Sequence, residues 1–127
     1  MGQQQLLLIV LGVIIVGIAV VVGINLFNAN ATNANRDAVI SDLNNLGAMA
    51  QQYYKKPLSM GGGGNNFDNW TIPTNLVSTA NGSYVGPGAG QTFDIVGTGN
   101  EIGDDGSTPV QATATVTPTQ INVVVDN

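Results

Sequence analysis

Hydrophobic positions run unbroken by charge from Leu6 to Ile24, nineteen residues of Leu, Ile, Val, Ala and Gly only. As a helix this segment would be about 28 Å long, close to the ~30 Å hydrocarbon thickness of a bilayer. A polar stretch rich in Asn follows, and then the pattern changes. Val39, Leu43, Leu46, Ala50 and Tyr53 recur at spacings of four, three, four and three, which predicts an amphipathic helix. Asp37 and Asp42 near its start and Lys55 and Lys56 at its end suit a helix dipole. Pro57 and the run Gly61 to Gly64 stop it. With the Asn-rich joint also helical, one helix runs from near Gln3 to about Lys56, roughly 80 Å. Asn is a modest helix former, so the joint is expected to be the weakest part.

Beyond Gly64 strands and turns take over. "NGSYV" follows a turn signal, "QTFDIVGTG" alternates in part, and "VQATATVTPTQINVVVDN" reads as two strands around a Thr-Pro-Thr-Gln turn. Val110, Ala112, Ala114 and Val116 would share one face, with Gln111, Thr113 and Thr115 on the other. A small antiparallel sheet with one apolar face needs a cover, and the stripe Val39, Leu43, Leu46, Ala50 and Tyr53 offers one. The expected fold is α+β: a long N-terminal hydrophobic helix whose distal half packs on a small C-terminal antiparallel sheet. Three regions follow: 1–36, an apolar helix with its joint; 37–60, the amphipathic half; and 61–127, a small β-rich domain.

Charge narrows the functional classes. Three basic residues stand against eight acids, a formal net charge of −5, too few cations to neutralise a run of phosphates, so nucleic acid is not an expected partner. With no Cys and no His, there is no thiolate and the commonest general base and metal ligand is missing. A nucleophile–base pair would need Ser with Lys55 or Lys56 at a helix end, and no enzyme, cofactor or metal is expected. Asp104 and Asp105, with Asn100 and Glu101 nearby, lack the alternating acids of a calcium loop and read as a solvated turn. "GGGGNNFDNW" reads as a flexible connector or surface loop, and Tyr53, Tyr54 and Trp70 as packing or surface anchors. Three N-x-S/T sequons, at Asn30, Asn69 and Asn81, are candidate glycosylation sites.

The N-terminal run is too long for the apolar core of a cleavable signal, and no Lys or Arg precedes it. By hydropathy alone it reads as a lone transmembrane anchor. Gly12 and Gly23 share a side of the helix while Gly17 lies about 140° away, which permits close helix approach on more than one face. The polar lead-in "MGQQQ", the helix "LLLIVLGVIIVGIAVVVGI", the amphipathic half-helix and the small β-domain together resemble a type IV pilin. The resemblance covers the whole layout, but at the level of residues it is confined to about the first 25 positions.

This resemblance implies a structural subunit held in the inner membrane, then packed by the pilus assembly machinery into an extracellular filament with copies of itself. Its subunit contacts would come from Gln3, Gln4, Gln5, Leu6, Leu8, Val10, Gly12, Ile15, Gly17, Val20, Gly23 and Phe27. The chain departs from the family in two ways. The glutamate usual near the apolar run is absent, with Gln5 in its place and no acid before Asp37. No basic leader precedes Met1, so Met1 reads either as the mature first residue or as an initiator, and cleavage after Gly2 would leave Gln3 first. A glutamine amide can bridge neighbours without the penalty of a buried charge. Gln3 to Gln5 are therefore expected either to bond to adjacent subunits' N-terminal backbone or simply to mark the aqueous edge of the helix. The alternatives to a major filament subunit are a single-pass membrane protein with an extracytoplasmic binding domain and a minor pilin or secretion pseudopilin.

Overall fold

A computed structural model describes residues 2–127; Met1, and with it the identity of the mature first residue, lies outside them. One α-helix, α1, runs from Gly2 to Lys55 without a break. Four strands follow: β1 (Gly82–Val85), β2 (Phe93–Ile102), β3 (Pro109–Val116) and β4 (Ile121–Val125). They form one antiparallel sheet in the order β1-β2-β3-β4. The fold is α+β, a long apolar N-terminal helix with a small antiparallel sheet. Between Ala31 and Thr32 the chain divides into two compact units.

In the second unit the helix lies on the sheet. Val39, Leu43 and Ala50 are fully buried and Leu46 nearly so, in one core with Ala112, Ala114 and Val116 on the inward face of β3, where Val110 is also buried. Tyr53 sits half-buried at the margin of this core. Alternation in β3 dictates this face, because successive side chains of a strand point to opposite sides. Aromatic rings fill the far end: Phe67, from a loop, lies tilted between Tyr54 of α1 and Phe93 of β2 at centroid distances of 4.8 and 5.0 Å, and Trp70 lies 5.4 Å from Phe93.

Two glycines let the helix approach the sheet. The inward positions of β2 are Phe93, Ile95, Gly97 and Gly99, so the strand's inner face shrinks from two large side chains to none. A Cβ on Gly97 would fall 2.8 Å from Val39 Cγ1, and one on Gly99 would fall 2.0 Å from Asn35 Oδ1. At this end β2 has a register irregularity between Thr98 and Ile102, where backbone donors leave the ladder. Asn35 Oδ1 accepts from the backbone N–H groups of Asn100 (3.0 Å) and Glu101 (3.2 Å), while its Nδ2 donates to the carbonyl of Asn81 (2.7 Å). Thr32 Oγ1 donates to the Ile102 carbonyl at 3.0 Å. The C-terminal part of the Asn-rich joint is thus held by the sheet, which supplies what the low helix propensity of Asn lacks.

The two acids expected near a helix start do not stand at one. Because α1 begins at Gly2, Asp37 and Asp42 lie far inside it, and no acid occupies its first turn, where the dipole acts.

The glycine run is also not a slack connector. Four carbonyls at any helix C-terminus lack intrahelical partners, and here the chain folds back to supply donors. Gly63 N donates to Tyr53 O (2.7 Å), Asn65 N to Tyr54 O (2.8 Å) and Gly64 N to Lys56 O (3.0 Å). Gly62 and Gly63 are buried, and a Cβ on Gly63 would lie 1.8 Å from the Asn66 carbonyl oxygen. Gly63→Ala is therefore expected to destabilise the chain by about 1–3 kcal/mol through overpacking, seen as a lower thermal midpoint. Gly12→Ala, with no atom within 4 Å of its built Cβ, should leave that midpoint unchanged; an equal midpoint for both variants would contradict the tight turn.

Candidate functional site

The functional candidate in the first unit is the apolar segment itself. Every Leu, Ile, Val and Phe side chain between Leu6 and Phe27 is more than half exposed, from 51% at Val22 to 77% at Phe27. Full burial of such a side chain is worth about 1.5–3 kcal/mol relative to water. Leaving the segment in water would therefore cost on the order of tens of kcal/mol, so it requires lipid or other protein around it. The helix is long and apolar enough to cross a membrane.

Leu6, Leu8, Val10, Ile15, Val20 and Phe27 are distributed around the helix rather than along one seam. Gly12, Gly17 and Gly23 have nothing within 4 Å of a built Cβ, so each is a shallow place on the surface where another backbone could come close. Gln3, Gln4 and Gln5 are exposed in the first turn. Three consecutive helical positions span about 200° of arc, so their amides point to several sides at once.

In the second unit many polar side chains are bonded within the unit, and Asp42 is a part-buried hub of such bonds. Asp42 Oδ2 accepts from the Tyr84 hydroxyl (2.5 Å), Asn81 Nδ2 (3.1 Å) and Thr79 Oγ1 (3.4 Å). Beside this hub is a groove of about 400 Å³ between α1 and the loop before β1, lined in part by Leu46, Met49 and Leu76. The Tyr84 hydroxyl is pushed well above its ordinary pKa, first by burial and then by its bond to the Asp42 carboxylate. A raised folded-state value means the fold holds this proton more tightly than the unfolded chain. The contribution is then fully present below about pH 10 and lost as the pH climbs further. Tyr84→Phe is expected to lose about 1.5–3 kcal/mol at neutral pH, the scale of a hydrogen bond to a charged group. It should also flatten the alkaline fall in stability above pH 10; a fall of unchanged steepness would assign it elsewhere.

The Asp104–Asp105 turn is built from internal bonds. Asp104 Oδ1 pairs with Arg36 at 2.8 Å. Asp105 accepts from the backbone N–H groups of Ser107 and Thr108 (2.9 Å each) and from the Thr108 hydroxyl. The Thr108 hydroxyl, followed by those two N–H groups, holds the Asp105 carboxyl well below the usual carboxylate range. Among the described residues no three His, Cys, Asp or Glu side chains gather as a metal site would require.

The three sequons occupy different settings: Asn30 is exposed on α1, Asn69 is exposed in a turn, and Asn81 is half-buried. Reading the chain alone did not single out Asn35, Gly97 or Gly99. For the two glycines the signal was the inward series of β2, where they continue a large-residue face and mark a close approach; Asn35 has no local signal.

Comparison with protein families, with curated proteins and with solved structures finds no match to this chain.

Proposed function

We propose that the chain is a structural subunit of an extracellular type IV pilus-like filament that polymerises through its apolar N-terminal helix. One observation carries this reading: an uncharged helical segment, apolar on every side and notched by glycines on more than one side, continues without a break into the helix of a compact α+β unit. A helix apolar all round belongs inside something. Before assembly that surrounding would be the inner membrane, and after it the helices of neighbouring copies.

Lipid is already apolar, so the transfer gains little from the hydrophobic effect. Association must draw on close packing and on contacts between subunits. The glycine notches allow that packing, and the second unit would form the filament's outer wall. A neutral N-terminal edge made of Gln3, Gln4 and Gln5 suits a filament core, where an unpaired carboxylate would be costly.

Shearing cells and imaging the released material by negative stain is the direct test. Filaments containing this chain, in abundance, are expected. Recovery of the chain solely as a detergent-solubilised monomer would favour a single-pass anchored domain instead, and scarcity within filaments would favour a minor pilin. Replacing Gln3, Gln4 and Gln5 together by Ala is expected to lower filament yield and melting temperature. Unchanged values would reduce the glutamines to markers of the aqueous edge.

A further inference from the structure

We infer that Asn69 is the acceptor of an N-linked glycan and that the sequons at Asn30 and Asn81 are not used. This rests on the proposed placement of residues 32–127 outside the cytoplasm, though not on filament formation. Asn69 and Thr71 are both exposed and flank Trp70, which is buried at 6% exposure. Trp70 is fixed by its backbone: its N–H donates to Phe67 O (3.1 Å) and its carbonyl accepts from Gly88 N (2.9 Å). The acceptor Asn and the Thr hydroxyl of the sequon therefore stand on the solvent side of one anchored turn. Asn69 itself adopts a left-handed conformation, φ 67°, which Asn tolerates better than most residues.

The other two sequons are incompatible with a bulky hydrated product. Asn81 is half-buried, its Nδ2 donates to Asp42 Oδ2 (3.1 Å), and its carbonyl receives the Asn35 amide (2.7 Å). A sugar on Nδ2 would leave one N–H for Asp42 but would set a bulky group against the half-buried hub that holds Tyr84. Asn30 lies in the helix, three and four positions after Phe27 and Leu26, and so shares their side. A glycan there would sit against the apolar segment, and the hydroxyl of its Thr32 is already bonded to Ile102 O.

In the transfer, Asn69 Nδ2 attacks the anomeric carbon of a polyprenyl-phosphate- or polyprenyl-diphosphate-linked oligosaccharide. The N–C bond forms as the C–O bond to phosphate breaks, the phosphate leaves with the electron pair, and an amide proton passes to the transferase's base. The modification adds a polar group to the outside of the second unit without touching its core.

The test is glycopeptide mass spectrometry on the full chain from both the membrane and the sheared surface fraction of the source cells. A glycan mass on the Asn69 peptide, with the Asn30 and Asn81 peptides bare, is expected. Thr71→Val, which keeps Asn69 and its backbone, should abolish the added mass while leaving the unglycosylated chain folded by circular dichroism. Bare Asn69 in both fractions, or a glycan on Asn30 or Asn81, would overturn the inference. Filaments with bare Asn69 would remove this inference alone. Glycosylated Asn69 without filaments would remove the filament reading alone.

Discussion

A chain lacking residues 1–27 is expected to be a water-soluble monomer with its β-rich unit intact, and to be wholly absent from filaments. The physical reason lies in where the two kinds of apolar surface sit. Every residue of the packed core, from Val39 on α1 to Val116 on β3, falls within the second unit. Removing the first 27 residues takes nothing from that core. It does remove the whole run of exposed side chains from Leu6 to Phe27, which on the scale of buried apolar area accounts for tens of kcal/mol of driving force away from water. The truncated helix keeps Thr32 and Asn35, whose bonds to Ile102, Asn81, Asn100 and Glu101 tie its start to the sheet. Light scattering and circular dichroism on the truncated chain check both halves of the expectation. A truncated chain that is unfolded would show that the second unit depends on the first; one that still assembles would remove the apolar helix from the mechanism.

Phe67→Ala is expected to cost about 3–5 kcal/mol, the range for emptying a buried aromatic site. Phe67 is fully buried and touches two other rings, Tyr54 and Phe93. Its backbone is also fixed, with its N–H donating to Gly90 O at 2.9 Å and its carbonyl receiving Trp70 N, so the cavity cannot easily collapse. Small domains have marginal stability, typically 5–15 kcal/mol. A loss of this size would bring the second unit close to unfolding at growth temperature. Chemical denaturation of the full chain in detergent would measure it. A loss under about 1 kcal/mol would mean that the loop bearing Phe67 does not close the core as described.

Much of this architecture was legible from periodicity. The spacing from Val39 to Tyr53 gave the buried stripe of α1, and alternation from Val110 to Val116 gave the inward face of β3, because both depend on local geometry alone. The helix's unbroken passage through the Asn-rich joint was harder to see. Propensity argues against it, and what holds its later part is tertiary: Asn35 completes a strand irregularity that lies 65 and 66 positions away. The same limit explains the glycine run. "GGGG" names a place where the chain can bend, but only the fold shows that Gly63 must lack a Cβ to bring its N–H to Tyr53 O.

Asp42 is a similar case. Its position in the sequence suits a helix start, yet its partners Thr79, Asn81 and Tyr84 arrive from a loop and a strand that no local pattern connects to it. For the proposed assembly surface, sequence and structure supply different things. Nineteen uncharged apolar positions announce that the segment avoids water. The structure adds that none of their large side chains is spent on the chain's own core and that the glycines face open space.

The decisive measurement is a helical reconstruction, by electron cryomicroscopy, of filaments sheared from the source cells. The account predicts density for this chain with the side chains from Leu6 to Phe27 at the filament centre, enclosed by the same segment of neighbouring copies and crossing closely at Gly12, Gly17 or Gly23. Filaments built from this chain in which that segment instead faces solvent, or contacts only the β-rich units, would contradict it.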